Sequence, residues 1–501
     1  MKVTLISMHP EIFSVGFRIL SSCLKKANHE VQLIFIPGGD LYQPKGKRFV
    51  SDYKEKILSD IVDLCRDSDM IGISLLTNYF IPAIKLTEGL KAKLDTPIVW
   101  GGPHPTASPE ECLKYTDIVC IGESEEALVD LANSISEGKS YENIPNIWSK
   151  NGDKIIRNNP RPLIQDLDSL PFPDCDIIGQ YVLSNNELCK LDLDLIQQNS
   201  IFHTATDKGA TYLVLSSRGC PHACTYCINA LWRKLYEGQR CVRRSSVEKI
   251  CDEINYAVGK IPIIKSINFA DDNFSAMNHR QMESFLKIYT ERVGLPFSCT
   301  LSPIFTDESR MDMLINAGVY RISMGIQSGS ERILKMYARD RIPLEKTREA
   351  IKRLELVRPR MKLKDTVVYH FIIDNPYENV EDKTATLKFI LDMPRRDSVR
   401  TFSLVPFPGT IIFDMMRKDG LIVDEQGQIF AKDLLVCNRS FTKYWLYMYY
   451  ANVPKPFLKF LLKPGLIRMF DNGKPKWLFE IIYWGLEKGY QVLGKIRRIL
   501  G

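Results

Sequence analysis

The sequence predicts an α/β protein in three parts: a doubly wound parallel sheet, a partial parallel barrel of six βα units, and a mainly helical C-terminal tail. Three observations carry this. Residues 1–145 alternate five short β-branched runs with amphipathic stretches, residues 211–405 repeat that rhythm with six more runs, and residues 440–501 mix aromatic rings with basic residues at helical spacing.

The front runs are VTLIS (3–7), VQLIFI (31–36), MIGISL (70–75), PIVWGG (97–102) and DIVCIG (117–122), separated by helical patterns such as FRILSSCLKKA and IVDLCRDS. Ligands of such sheets sit beyond the carboxyl ends of the strands. The small residues gather there: Ser74 after the third run, Gly101-Gly102 after the fourth, Gly122-Glu123 after the fifth. Residues 146–205 are Pro-rich and lack either period, which predicts an extended strap, with Leu163, Leu167 and Leu170 arguing for docking rather than free motion. The barrel runs are TYLVLS, KSINFA (265–270), FSCTL (297–301), YRISMG (320–325), VVYHFII (367–373) and TFSLV (401–405), interleaved with amphipathic helices such as SSVEKICDEINYAV and EKTREAIKRLEL. The expected division is 1–145, 146–205, 206–430 and 431–501.

At 501 residues the chain exceeds what one core organises. Its 45% hydrophobic and 25% charged residues describe a folded chain rather than a disordered one. No apolar run reaches the length of a spanning helix, and the N-terminal apolar run is too short for a secretory signal, so a cytoplasmic protein is expected. Thirteen cysteines in a long chain do not form a small-domain disulfide framework; Cys65, Cys120 and Cys299 lie in apolar segments and read as buried thiols. The net charge of +7 does not argue for nucleic acid. From Val453 onward ten basic residues face three acidic ones, an excess equal to that of the whole chain.

Immediately after the first barrel run comes S-R-G-C-P-H-A-C-T-Y-C, placing Cys220, Cys224 and Cys227 at CxxxCxxC spacing on one loop. Three thiolates so close can hold three corners of a cubane and leave the fourth iron open. The competing reading is a zinc site with Cys241 as fourth ligand; His222 reads as a bystander within the loop.

This loop resembles the signature of radical S-adenosylmethionine enzymes, including an aromatic residue, Tyr226, before the last cysteine. The resemblance extends over roughly residues 206–410. NFADDNF (268–274), with Asp271 and Asp272, is similar to the segment used near the methionine amino group. SMGIQSGSERIL (323–334), with Gln327 and Ser328, is similar to the segment approaching the ribose. FIIDNPYENVED (371–382), with Asn375, resembles the fifth-strand segment, although many relatives carry GLPGET where this chain has DNPYEN. VPFPGT (405–410) resembles the last-strand turn. The resemblance implies a 4Fe-4S cluster on Cys220, Cys224 and Cys227, S-adenosylmethionine on its open iron, and reductive cleavage to a 5′-deoxyadenosyl radical.

In front, GISLL (72–76), with Ser74 and Leu76, and the Gly101-Gly102 pair are similar to the SxL and GG motifs of Rossmann-like cobalamin-binding domains. That implies cobalamin, with the Ser74 hydroxyl reaching its dimethylbenzimidazole tail. Relatives that ligate cobalt through histidine carry DxHxxG, and SMHPEIFSVG (7–16) departs from it: His9 is near, but at the wrong spacing. His104 reads as a loop residue. A front domain that binds nothing is the alternative.

The resemblance implies modification of an unactivated carbon, with methyl transfer ahead of an anaerobic oxidative cyclase or rearrangement of the porphyrin-ring-closing kind. A non-catalytic cobalamin or cluster carrier is the reading from another class. The expected partners are a small-molecule or lipid-like substrate and a reductant such as flavodoxin or ferredoxin, with no nucleic acid. The tail, with Trp445, Tyr447, Tyr449, Tyr450, Trp477, Trp484 and Tyr490 beside its cations, is read either as a peripheral contact with an anionic membrane or as a helical lid.

Overall fold

The computed structural model of the chain describes residues 1–9, 11–37, 55–200, 209–361, 367–396, 398–432, 440–472 and Gly485. They fall into two compact units, the first made of residues 1–300, 313–320 and 406–432, the second of residues 301–312, 321–405 and 433–501.

The five front runs form β1 (Lys2–Ser7), β2 (Glu30–Phe35), β3 (Met70–Ser74), β4 (Ile98–Gly101) and β5 (Ile118–Cys120), all parallel. They read as nearly continuous apolar sequence because helices cover the sheet. The helices Val15–Lys26 and Glu125–Ser136 pack together, as do Glu55–Cys65 and Phe80–Lys91. β1 lies between β2 and β3, so the strand order reverses there and a crevice opens at the carboxyl ends of β1 and β3.

Residues 146–205 are more than a strap. They add β6 (Ile147–Asn151), β7 (Lys154–Ile156), β8 (Gln180–Ser184) and β9 (Glu187–Lys190), giving a nine-stranded sheet of order β7-β6-β5-β4-β3-β1-β2-β8-β9. These edge hairpins are partly exposed and lack the continuous apolar runs of the buried strands. The signal present was local: Asn185 and Asn186 both take positive φ, 52° and 64°, the backbone a two-residue hairpin turn demands. Between the hairpins the chain does run extended and docked, with Leu163 and Leu167 buried and Leu170 half-buried.

That strap is pinned from below by Arg18, which is wholly buried. Its guanidinium donates to the carbonyls of Ile12 at 2.7 Å and Asp174 at 2.5 Å and lies over the rings of Phe13 and Phe35. Ser21 donates to the Asp174 carboxylate at 2.6 Å. Nearby, the Tyr212 hydroxyl donates to Glu253 at 3.4 Å, and burial raises the Glu253 carboxyl to about 8.

The barrel runs become β10 (Ala210–Val214), β13 (Ile264–Phe269), β14 (Phe297–Leu301), β15 (Val319–Gln327), β16 (Val367–Ile373) and β17 (Val399–Ser403), the strands of a six-stranded parallel sheet divided between the two units. Two very short strands, β11 (Ser217–Arg218) and β12 (Arg243–Arg244), pair antiparallel and bracket the cysteine loop. Cys65, Cys120 and Cys299 are buried thiols, and none of the twelve described cysteines forms a disulfide; Cys437 lies outside the described residues.

In the second unit the helices Phe441–Tyr450, Lys455–Leu461 and Pro464–Asn472 dock against the helix Val380–Leu391. Trp445 and Tyr449 belong to this core, both fully buried, and Trp445 donates to the Leu458 carbonyl at 3.1 Å. Those two rings therefore serve packing, not an interface. Trp477, Trp484 and Tyr490 lie outside the described residues.

Glu253 gives the first test. A carboxyl held protonated by burial contributes stability that is complete below its unfolded value and is lost as pH rises through about 8. Glu253→Gln should remove that loss, on the order of a few kcal/mol, and flatten the melting temperature of the cofactor-free chain between pH 6 and 9.

Candidate functional site

Two neighbouring cavities in the first unit carry the chemistry. The larger, about 330 Å³, opens at the β1/β3 crevice and runs down the sheet as an apolar slot. Its lining combines apolar side chains, Leu5, Phe17, Leu20, Val99 and Leu128, with His9, Ser74, Gly101, Gly102, Gly122 and Glu123. Gly72 opens the slot, since a Cβ there would press on the Leu5 side chain. Gly102 takes φ +100°, and a Cβ would come within 3.0 Å of the Leu75 carbonyl and 3.2 Å of the Ser74 hydroxyl. A flat, largely apolar heterocycle with one polar edge suits such a slot. Leu76 is not among the residues lining it; it precedes the turn Thr77–Tyr79.

His9 Nε2 and Ser74 Oγ are 2.9 Å apart, and burial pushes the His9 imidazole down to about 4, so it is neutral at pH 7. The Nε2 nitrogen is thus engaged by the serine. His104 is buried in the helix Pro103–Ala107 against Phe80 and Phe430, and does not line the cavity.

The second cavity, about 250 Å³, shares Glu123, Leu215, Arg218 and Trp232 with the first and adds Gly219, Cys220, Asn229, Arg233, Cys241 and Asp272. Its loop is built for thiolates. The His222 backbone N–H donates to Cys220, and the Asn229 backbone N–H and side-chain amide donate to Cys227, the latter at 3.6 Å. Such donors stabilise sulfur charge. Without a metal, burial raises the thiol of Cys220 to about 11 and that of Cys227 in the same direction. Cys224 is buried, Tyr226 half-buried and outside both linings. Arg233 donates to the Cys220 carbonyl at 2.5 Å, and Gly219, at φ +83°, is obligatory because a Cβ would run into the Cys241 carbonyl. The Cys241 thiol donates to the Gln239 carbonyl at 3.5 Å. Among the described residues no three His, Cys, Asp or Glu side chains converge on a single-ion position. Cys220 alone of the three lines the cavity, and Cys224 and Cys227 follow it on the same loop; three thiols so spaced are a donor set that fits a cubane with one free corner.

The paired aspartates separate. Asp271 lies outside both linings: it is buried, accepting from the Ser216 backbone and hydroxyl at 3.2 and 2.8 Å and from the Ser217 hydroxyl. Asp272 lines the cavity beside Cys220, and burial raises its carboxyl. The last-strand turn also reaches the loop, with the Ile412 N–H donating to the Thr225 carbonyl at 2.9 Å.

Gln327, Ser328 and Asn375 lie in the second unit. Gln327 ends β15 at φ +74°, and its neighbour in sequence Ser328 is buried, 3.0 Å from the Thr386 hydroxyl. Asn375 is buried and donates to the Tyr337 hydroxyl at 3.0 Å. Asp374, at φ +60°, accepts from Ser403 at 2.7 Å. Left-handed backbone at two non-glycine residues, each at a strand's carboxyl end, is the strain that functional sites tolerate.

The B12 binding domain family matches residues 1–132, and the Radical SAM superfamily matches residues 214–390. The chain carries a B12-binding domain followed by a radical S-adenosylmethionine domain. Its cofactors are a 4Fe-4S cluster, S-adenosylmethionine and cobalamin. Relatives of this B12-binding radical protein include an uncharacterized methyltransferase of Pyrococcus horikoshii, 26% identical over 73% of each chain. An anaerobic magnesium-protoporphyrin IX monomethyl ester cyclase of Synechocystis is 23% identical over 68% of this chain and 61% of that protein. Among solved structures, the radical S-adenosylmethionine methyltransferase TsrM of Kitasatospora setae, with cobalamin and a 4Fe-4S cluster bound, superimposes at a TM-score of 0.62. The match covers 84% of this chain and 75% of that one at 15% identity, and shows a shared fold.

Arg218, Asn229, Trp232, Arg233 and Arg243 were not singled out in the sequence. Arg218 abuts the Gly-Cys of the loop and could have been; the others reach the site only through folding.

With His9 engaged by Ser74, the Co(II) form of bound cobalamin should show no nitrogen superhyperfine splitting from a histidine, in the parent chain or in His9→Ala. The same substitution should weaken cobalamin binding by about five-fold, the worth of one hydrogen bond. Electron paramagnetic resonance and equilibrium dialysis read the two effects; splitting that disappears in His9→Ala would make His9 a cobalt ligand.

Proposed function

We propose that this chain is a cobalamin-dependent radical methyltransferase acting on an unactivated carbon. One observation carries the reading: the slot suited to cobalamin and the cavity lined by Cys220 of the cysteine loop share a wall of Glu123, Leu215, Arg218 and Trp232. When bound, the cluster with S-adenosylmethionine supplies a carbon radical and cobalamin a transferable methyl group. The residues' work is positional. Cys220, Cys224 and Cys227 hold three irons, Asp272 and Asn229 present polar groups to the cavity, and Gly72, Gly101 and Gly102 keep the slot open. Tyr226 and Asp271 are proposed to shape the S-adenosylmethionine site, Asp271 indirectly, by fixing Ser216 and Ser217 at the root of the loop; for Gln327, Ser328 and Asn375, in the second unit, a part in binding S-adenosylmethionine is proposed from the sequence resemblance alone. Gly122 and Glu123 close the cobalamin side, with Leu76 a structural neighbour of Ser74. A flavodoxin or ferredoxin would supply the electron.

The cyclase relative supports a second reading. Protein reconstituted without oxygen should hold about four irons and form 5′-deoxyadenosine under strong reductant; Cys224→Ala should lose both. Methyl-labelled S-adenosylmethionine should also pass its label to cobalamin. Deoxyadenosine without label transfer would favour cyclisation or rearrangement.

Membrane contact is proposed for the described tail alone. Phe457 and Phe460 are 50% and 51% exposed on the helix Lys455–Leu461, and Met469 is exposed on the next. The segment 455–470 contains Lys455, Lys459, Lys463 and Arg468 and no acid. Apolar rings flanked by cations suit an anionic interface. Among the described residues no helix is long and apolar enough to cross a membrane. The full chain should float with anionic vesicles at low salt and not with neutral ones, and Phe457→Ser with Phe460→Ser should abolish flotation. Failure of the parent chain to float would discard the contact.

A further inference from the structure

The shared wall is a clamp. The turn after β5 is gripped by side chains that flank the cysteine loop. Arg218, two residues before Cys220, donates to Glu123 at 3.0 Å and to Glu125 at 2.6 Å. Arg243, its partner across the β11/β12 pair, donates to both oxygens of the Glu123 carboxylate at 2.8 Å. Relative exposures of 16%, 13%, 6% and 5% for Arg218, Glu123, Glu125 and Arg243 leave these charges to compensate one another. Burial alone would raise the Glu123 carboxyl, but Arg243 and Arg218 hold it below its usual range. A second grip is neutral. The Glu123 N–H donates to the Tyr236 hydroxyl at 3.0 Å, Tyr236 stacks on Trp232, and Gly122 is obligatory because a Cβ would overlap that hydroxyl.

We infer that Glu123 is a positioning residue through which cobalamin binding and assembly of the cluster loop favour each other. Filling the slot fixes the turn 121–125, the fixed turn fixes Arg218, and Arg218 fixes the backbone that delivers Cys220. The same linkage runs backwards, because a coupling free energy between two sites is reciprocal. The inference rests on the cofactors already assigned and adds a dependence between their sites.

The test is the dissociation constant of hydroxocobalamin, by equilibrium dialysis, for the full chain with its cluster removed by chelation and with it reconstituted. The cluster-loaded chain should bind at least about five-fold more tightly. Glu123→Gln, which weakens both arginine contacts, should bring the ratio near one. Tyr236→Phe leaves the charges intact and should shrink the ratio in part; it decides the matter if Glu123→Gln does not fold, as judged by circular dichroism. Equal affinities in the two states of the parent chain overturn the inference, and so does an undiminished ratio in a folded variant. Absence of cobalamin uptake in both states overturns the cobalamin assignment instead, and the coupling falls with it.

Discussion

The Glu123 carboxylate, held between Arg218 and Arg243, is the constraint on which the site depends. Two buried cations with two buried anions are tolerable only when all four are placed; removing one partner of such a set costs several kcal/mol because it strands a charge away from water. The set ties the end of β5, in the front sheet, to the root of the cysteine loop, more than ninety residues later in the chain. Geometry at one cofactor site is thereby geometry at the other. Arg18 plays a corresponding part for the strap, which it fastens through Asp174.

Around that constraint, the functional groups sit where parallel sheets leave room. Strand ends expose backbone and short side chains, so glycine and serine can approach a flat ligand, and the first slot is made by the absence of Cβ atoms as much as by any side chain. The polar residues nearest the thiols act mainly as donors. Asn229 and the backbone at His222 point hydrogens at sulfur, an arrangement that favours thiolates bound to iron over free thiols, whose titration burial pushes upward.

The aspartate pair shows how adjacent residues divide labour. β13 ends at Phe269, and past it the chain sends Asp271 inward to the Ser216 and Ser217 hydroxyls and Asp272 into the cavity. The tail divides similarly. Trp445 and Tyr449 build a core with the helix Val380–Leu391, while Phe457 and Phe460 remain outside it.

The sequence by itself determined the eleven parallel strands of the two βα series, the cysteine loop and the glycines of the front slot. Each of these is a local property: a β-branched run between helices, a ligand spacing within eight residues, a backbone angle that only glycine takes easily. It did not reveal β6 to β9, which are partly exposed edge strands and lack the continuous apolar run of the buried ones. Leu76 and Asp271, singled out from their motifs, lie outside the linings of the two cavities described, because a motif fixes position along the chain and not the direction a side chain takes. Only the tertiary structure joined Glu123 to Arg218 and Arg243 and set His9 against Ser74. Those pairings join residues 65 to 120 positions apart, and what selects them is the cost of leaving a polar or charged group unpaired away from water, a cost that exists only once the chain has folded around them.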